Sequence, residues 1–474
     1  MRVAIAGATG FVGRALCEAL VREHRVVGLT RGASNDRGDD VEWRTCDLYS
    51  LLQLERALEG CDVALYLVHS MLPSARLTQA SFEDLDLLLA DNFARAAATC
   101  GVKHIVYLGG LLPEEHQGLS PHLRSRSEVE RALSAHGASV TALRAGLVVG
   151  AGGSSLHILV SLVRRLPAML TPKWTSSPTQ PIALRDVVRA VRHVLEAPER
   201  WIGAYDVGGP DVMSYREMMA RTAQVLGKHR PMVAVPLFTP GLSKLWVSLI
   251  TGAPLALVGP LIESLRHAMV VGDNPLQRWL LPAALGFEDA LREAIATRSE
   301  RPRVVARSDR RRARNESTAR SVQRLPRPPG SSGRWVAEEY VRWLPRGPVP
   351  GMACETEETE RGPVVRFRLR ALRKPLLVLR LAPERTREDR ALFYVEGGLL
   401  ARTSPTPGRF EFRVTPDGNH VLAAVHDFRP ALPWFVYALT QANVHALVMN
   451  RFGRHLARVR PTPKTTFRAE QASP

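Results

Sequence analysis

Cysteine is scarce: five residues in 474 (Cys17, Cys46, Cys61, Cys100 and Cys354), an odd number with no C-x-x-C spacing. That pattern excludes a disulfide framework and a zinc-thiolate site, and it predicts a reducing, cytoplasmic setting. Acids are the minority. Forty-six Asp and Glu face 64 Lys and Arg, so the net charge is +18 and the pI about 10.5. Such a surplus suits an anionic partner: a dinucleotide, a phospholipid surface or a nucleic acid. Much of it is local, because Arg298 to Arg327 holds eleven arginines against three acids. That stretch has no interleaved aromatics and no RNA-binding signature, which argues against nucleic acid. The chain enters a strand-like run at its second residue, which predicts no signal peptide. One apolar, uncharged segment, "LWVSLITGAPLALVGPLI" (Leu245 to Ile262), is long enough to span a bilayer. Gly252, Pro254, Gly259 and Pro260 interrupt it, so the expectation is buried helices with a bend, a peripheral membrane contact being the alternative.

A content of 45% hydrophobic and 23% charged residues suits globular domains with sizeable cores. In the first half, short apolar runs alternate with helical patterns, the signature of an α/β protein with a doubly wound parallel sheet. "RVAIA", "RVVGLTR" (Arg25 to Arg31), "DVALYLVHS" (Asp62 to Ser70), "KHIVYLGG" and "SVTALRAGLVVG" (Ser139 to Gly150) read as strands, and "DNFARAAATCGV" (Asp91 to Val102) as a helix. From about Gly150 the pattern becomes mainly helical, as in a substrate lobe. Residues 298–333, rich in Arg and Pro and poor in large apolar side chains, read as a disordered linker. Beyond it, residues 334–460 read as a separate α+β domain. Five strand-like runs, with "TPDGNH" as a turn, precede "LPWFVYALTQANVHALVMNRFGRHLARV", read as one long helix starting just after Pro433. Residues 461–474 form a tail. The N-terminal domain is thus expected over residues 1–297.

The first strand runs into Gly7-Ala-Thr9-Gly10-Phe11-Val12-Gly13 and then an amphipathic helix. In that setting the first glycine permits a tight turn, the second lets backbone approach a pyrophosphate, and the third allows close helix–strand packing. The phosphate then meets free N–H groups at the helix N-terminus. An NAD site usually carries an acid at the end of strand two; here stand Thr30 and Arg31. A guanidinium suits a 2′-phosphate, so NADP(H) is preferred, with NAD(H) the alternative.

This glycine spacing resembles that of the extended and atypical short-chain dehydrogenase/reductases, among which the NmrA-like and complex-I-subunit-like proteins are most similar. "CDL" resembles the segment contacting adenine, which implies Asp47 and Leu48. "LVHSM" resembles the strand-four exit beside the pyrophosphate and ribose, which implies Val68 and His69. Asn92 stands at the family's buried asparagine, and "LRAGLVVGAG" resembles the loop covering the nicotinamide. The likeness extends over about Met1 to Thr297. Active members of the family carry a serine after strand five and a Tyr-x-x-x-Lys. Here Gly109-Gly110 stands at the serine position. In the tyrosine window, "PHLRSRSEVERAL" puts His122 at the tyrosine and Arg126 at the lysine. Histidine can transfer protons near neutral pH. Arg126 can steady a ribose or phosphate but cannot act as a base. The plainer reading makes both of them helix-surface charges. Two functions follow: an NADP(H)-dependent oxidoreductase acting on a hydrophobic carbonyl or quinone-like small molecule, or a non-catalytic redox sensor or assembly protein. The second domain resembles the START-like (SRPBCC) helix-grip fold, which implies a hydrophobic ligand between helix and sheet.

With Arg31 in place of the strand-two acid, NADPH should bind more tightly than NADH, and Arg31→Asp should reverse or erase the preference. Calorimetric titration with both cofactors checks this; equal affinities in the unmutated protein would refute it.

Overall fold

Short apolar runs fold as the sheet, and amphipathic helices follow most of them and cover it. The computed structural model describes residues 1–32, 40–69, 77–113, 119–235, 247–252, 255–297, 318–346, 351–402 and 407–460. The chain divides into two units: Met1–Leu72 with Asp86–Ala306, and Pro73–Leu85 with Arg307–Pro474.

In the first unit the principal strands are β1 (Arg2–Ala6), β2 (Arg25–Thr30), β3 (Val41–Thr45), β4 (Val63–Tyr66), β5 (His104–Gly110), β6 (Ser139–Ala145) and β7 (Gly203–Val207). They pair in parallel in the order β7-β6-β5-β4-β1-β2-β3. The chain therefore winds one way from β1 and the other way from β4, and the crevice beyond the ends of β1 and β4 is the switch point where such sheets take ligands. The helices are α1 (Phe11–Leu20), α2 (Leu51–Leu58), α3 (Phe82–Thr99), α4 (Pro121–Leu133), α5 (Ser154–Arg165), α6 (Leu184–Glu196), α7 (Tyr215–Val225), α8 (Leu255–Ser264), α9 (Pro275–Leu280) and α10 (Phe287–Ala296). Val3, Ile5, Leu65, Val106 and Leu143 of the sheet are buried with Leu16, Leu20, Val187 and Val191 of α1 and α6. A second core, among them Leu159, Val163, Met218, Val258 and Leu291, forms the mainly helical lobe.

The second unit is an antiparallel sheet with C-terminal helices. Its strands β8 (Ala319–Pro326), β9 (Met352–Glu357), β10 (Val364–Leu369), β11 (Leu377–Leu381), β12 (Arg390–Gly397), β13 (Gly408–Val414) and β14 (His420–Phe428) pair in the order β9-β10-β11-β12-β13-β14-β8. A short strand, Leu77–Gln79, adds in parallel to β8. Tyr340 of α11 (Gly333–Trp343) meets Phe367, Phe410, Phe412 and Phe452 at ring-centroid distances of 5.2–6.3 Å, so aromatic side chains fill the space between helices and sheet.

Four sequence expectations shift. Ala319–Pro326, assigned to the linker, is a strand paired along β14; its composition is Arg-rich, but Val322 and Leu325 are buried, and a long-range partner is invisible to composition. Residues 73–85 group with the second unit, so the N-terminal domain is not one continuous stretch. The helix expected from Asp91 begins at Phe82. The long C-terminal helix breaks at Thr440, whose φ is −118° and whose hydroxyl bonds back to the Val436 carbonyl, giving α12 (Trp434–Leu439) and α13 (Gln441–Leu456). In the apolar 245–262 segment, Val247, Val258 and Ile262 are buried in the lobe core, and no helix among the described residues is long and apolar enough to cross a membrane.

Along β13, Phe410 and Phe412 face the core while Arg409, Glu411 and Arg413 share the opposite face, and all five are buried. Glu411 accepts from Arg390 (2.6 Å), Arg413 (3.0 Å) and His426 (3.1 Å). Burial pushes its pKa up, but Arg390 and Arg413, with the His426 bond, outweigh that and hold it well below the usual carboxylate range. A folded pKa below the unfolded value of about 4.3 gives stability that is present above that pH and is lost as pH falls through the folded value. Glu411→Ala should destabilise the second unit by about 3–5 kcal/mol. Glu411→Gln should flatten the acid limb of the stability–pH curve. Urea unfolding followed at Trp343 fluorescence across pH 3–7 reads both.

Candidate dinucleotide and proton-transfer site

β1 ends at Ala6, and Gly7 turns the chain with φ at +92°, a conformation that L side chains rarely adopt. The Gly10 amide donates to the Gly7 carbonyl at 2.8 Å and closes the turn. Gly10 is then the N-cap of α1, and no side chain caps the helix. A Cβ on Gly13 would stand 2.1 Å from the Gly7 carbonyl oxygen, and one on Gly10 would stand 3.0 Å from it. The cradle is thus shaped by what the glycines omit. Thr9 and Gly10 are exposed at its lip, and Phe11 and Val12 are partly buried in the first turn. Uncapped N–H groups at the positive end of a ten-residue helix suit a pyrophosphate.

The other expected cofactor residues lie around this crevice. Arg31 is exposed just past the end of β2. Cys46 donates its amide to the Thr30 carbonyl at 2.7 Å, so Asp47 and Leu48 follow the neighbouring end of β3. The Asp47 carboxylate accepts from the Tyr49 amide at 3.2 Å, and Asn92 holds the Leu48 carbonyl at 3.0 Å through its side-chain amide. Asn92 is buried, as expected. At the exit of β4, Leu67 donates to the Ala6 carbonyl at 3.0 Å and packs against Gly7, so Val68 and His69 leave the sheet beside the glycine turn. Ser70 and Met71 lie outside the described residues.

A buried polar cluster stands at the ends of β4 and β5. α4 starts there because Ser120 caps it and Pro121 occupies its first position. His122 and Arg126, four residues apart, share a helix face. His122 is 9% exposed and Arg126 is partly buried, so the surface-charge reading is overturned for both: that face of α4 turns inward. The His122 Nδ1 bonds the Ser264 hydroxyl at 3.2 Å, and Ser120 meets the same hydroxyl at 3.0 Å. His69 Nδ1 bonds Asp86, which also accepts from Ser125 at 3.3 Å; the two imidazoles lie edge to face, 5.2 Å apart. Arg126 donates to the Tyr107 hydroxyl at 3.5 Å. Burial, with Arg126 and His69 alongside, holds His122 well below the ordinary imidazole range, and burial, with Arg126, lowers His69 against the pull of Asp86. Burial pushes the Tyr107 and Tyr66 hydroxyls up. His122 Nε2, Arg126 Nε and the Tyr66 hydroxyl are buried without a hydrogen-bond partner among the described residues. Each such atom calls for an explanation, and these three stand close together.

Sequence reasoning missed Asp86, Ser125 and Ser264. Asp86 precedes the helix as it was delimited from the sequence, and Ser264 is far off in the chain, so no local spacing links them to His122. A Cβ on Gly109 would lie 2.8 Å from the Tyr107 ring, so a serine there would require that ring to shift, whereas one on Gly110 would make ordinary contact with Arg126 at 3.8 Å.

Residues 3–208 match the NAD dependent epimerase/dehydratase family. The chain is 36% identical over 111 residues to the auxiliary protein GraX of Staphylococcus aureus, covering 23% of this chain and 36% of that protein. It is 28% identical over 228 residues to the (4-alkanoyl-5-oxo-2,5-dihydrofuran-3-yl)methyl phosphate reductase of Streptomyces griseus subsp. griseus, covering 48% of this chain and 74% of that one. The triphenylmethane reductase of Citrobacter sp. shares the fold, with a TM-score of 0.50 at 18% identity over 63% of this chain and 100% of that one. The chain thus spans about a third of the first relative and three quarters of the second. The N-terminal unit carries an NAD(P)-binding, epimerase/reductase-like domain.

The contact under Gly13 admits no methyl group without moving the turn. Gly13→Ala should weaken NADPH binding at least tenfold and lower the unfolding temperature. Calorimetry and heat unfolding check it, and an unchanged affinity would separate the cradle from the cofactor.

Proposed function

We propose that the protein is an NADPH-dependent reductase of a hydrophobic carbonyl or quinone-like substrate, of the atypical NmrA-like kind, with His122 as the group that faces the substrate oxygen. The observation that carries this reading is the buried His122 Nε2, which has no hydrogen-bond partner among the described residues and belongs to a ring oriented by Ser264 at Nδ1. Gly7, Thr9, Gly10, Phe11, Val12 and Gly13 would hold the pyrophosphate. Asp47 and Leu48 would border the adenine, Arg31 the 2′-phosphate, and Val68, His69 and Arg126 the ribose and nicotinamide side. The bound cofactor supplies hydride. The proton that completes the product is drawn from solvent, and the protein's part is to polarise the acceptor oxygen. A neutral imidazole does this by donating N–H to the developing oxyanion. Arg126, a permanent cation one turn along α4, adds electrostatic stabilisation to that oxygen. His69, fixed by Asp86, stands beside His122 as the next member of a path for the returning proton. The Streptomyces relative's name as a reductase supports the class.

A second reading, a non-catalytic dinucleotide sensor or assembly factor, is favoured by the glycines at the serine position and by the buried, high-pKa tyrosines. The name of GraX as an auxiliary protein agrees with it. For the second unit, a START-like helix grip remains our reading of an antiparallel sheet closed by a C-terminal helix.

Turnover of NADPH with a panel of hydrophobic ketones and quinones decides between them. Under the reductase reading, His122→Ala lowers kcat at least a hundredfold and leaves NADPH affinity within about threefold. The ordinary imidazole value of about 6.5 predicts a fall in rate as pH rises past it. The structure corrects that expectation. His122 is held well below this value, so its loss of a proton is complete at lower pH, and kcat should be level between pH 6.5 and 8. A step near pH 6.5 that vanishes in His122→Ala would contradict the buried, neutral imidazole.

A further inference from the structure

The mainly helical lobe of the first unit holds a half-open apolar cavity of about 120 Å³, walled by α5, α7 and α8 and by Leu147, which follows β6. Leu159 and Leu162, Met218 and Met219, and Val258 and Ile262 are among the side chains that those three helices contribute, with Ser155 a polar one. Trp174 and Tyr215 also line it, their rings edge to face at 6.5 Å. The Tyr215 hydroxyl is engaged with Thr179 at 3.4 Å. The Trp174 indole nitrogen is buried and has no hydrogen-bond partner among the described residues. Packed interiors seldom leave a void of this size, because each missing neighbour forfeits dispersion attraction. An engineered, closed apolar cavity of about 150 Å³ takes up benzene, so the volume here is of the order a single ring needs.

We propose that this cavity is a binding site for a small apolar ligand, a single aromatic ring or a short alkyl chain with one oxygen acceptor for the Trp174 N–H. On the reductase reading above, on which this part rests, the ligand is the apolar end of the substrate. α8 connects the two places. Its Val258 and Ile262 wall the cavity, and its last residue, Ser264, holds His122. The loop from Ala145 to Val148 contributes Leu147 on the same side. The apolar run that could have marked a membrane segment instead supplies Val247, Val258 and Ile262 to this wall.

The test uses the full chain. Benzene and anisole are titrated by calorimetry, with heat unfolding in parallel, against the unmutated protein, Val258→Phe, Leu159→Phe and Trp174→Phe. Binding should carry a negative heat-capacity change and raise the unfolding temperature. Val258→Phe and Leu159→Phe should abolish binding of both probes, and Trp174→Phe should weaken anisole but not benzene. Retained NADPH affinity shows that each variant is folded. No probe binding to the unmutated protein, or binding indifferent to both filling variants, overturns the proposal. In turnover with methyl ketones of increasing chain length, kcat/KM should rise about fourfold per added methylene until the cavity is filled. In Val258→Phe that rise should stop at a shorter chain. Probe binding with no turnover of any ketone supports the cavity and overturns the reductase reading. Turnover without probe binding does the reverse.

Discussion

The glycine turn imposes one steric condition on which the first unit's ligand chemistry depends: α1 must begin directly against the carbonyl of Gly7. At Gly13 the helix approaches that carbonyl so closely that a Cβ would overlap it. The approach carries the first turn of α1 to the crevice at the switch point, and because Gly10 has no side chain, the N–H groups there stay uncapped. In the same unit Ser50, Ser120, Ser214 and Asn274 cap their helices, each accepting from the third residue beyond it, whereas α5, α6 and α10, like α1, begin without a side-chain cap. Leaving out such a cap forgoes about 1 kcal/mol of helix stability. At α1 the same vacancy, set in a glycine turn at the switch point, suits an anion.

The second constraint is the cluster beside it. Two imidazoles, a carboxylate and a guanidinium are brought out of water by one turn of α4, the first turns of α3 and the segment leaving β4. Burial disfavours each charged form, and the outcome is selective. Arg126 keeps its charge because it cannot lose its proton, whereas His122, near Arg126 and at the positive end of α4, is driven to the neutral form. An apolar cluster of the same volume would be cheaper to bury. Orphaned polar atoms in one place, next to a glycine cradle, therefore say more about a ligand than any one of them would alone.

What the sequence made legible was local. Strand-helix alternation, the glycine turn, the buried Asn92 and the absence of serine and tyrosine follow from residues close together in the chain. The site's third dimension was not. Asp86 meets His69 and Ser125, and Ser264 meets His122, across long sequence separations, and no period or spacing encodes such meetings. Composition failed in the linker for a related reason. Arg320 and Arg324 look like solvated charges, yet they are strand positions of β8, whose partner strand lies about a hundred residues on. The apolar run at 245–262 was ambiguous because a lobe interior and a membrane select for the same side chains; only the fold shows which residues turn inward.

On the proposed reductase reading, having His122 and Arg126 where the resemblance expects a tyrosine and a lysine changes the chemistry in a definite direction. A phenol lowered by a neighbouring ammonium is an acid whose strength depends on that ammonium. The Tyr107 hydroxyl here accepts from Arg126, but it is enclosed in the sheet and its pKa is raised, so it keeps its proton. The donor next in reach is the imidazole one turn before Arg126 on the same face. Pushed to its neutral state, His122 is a weak acid and a good hydrogen-bond donor. It would stabilise an oxyanion as it forms more than deliver a proton ahead of the hydride. Such a site favours acceptors whose reduced oxygen is already stabilised, as in a quinone, where the product anion is delocalised. A simple aliphatic alkoxide needs its proton sooner. On that reading, the polar geometry of this site would lean toward the conjugated members among hydrophobic carbonyl substrates.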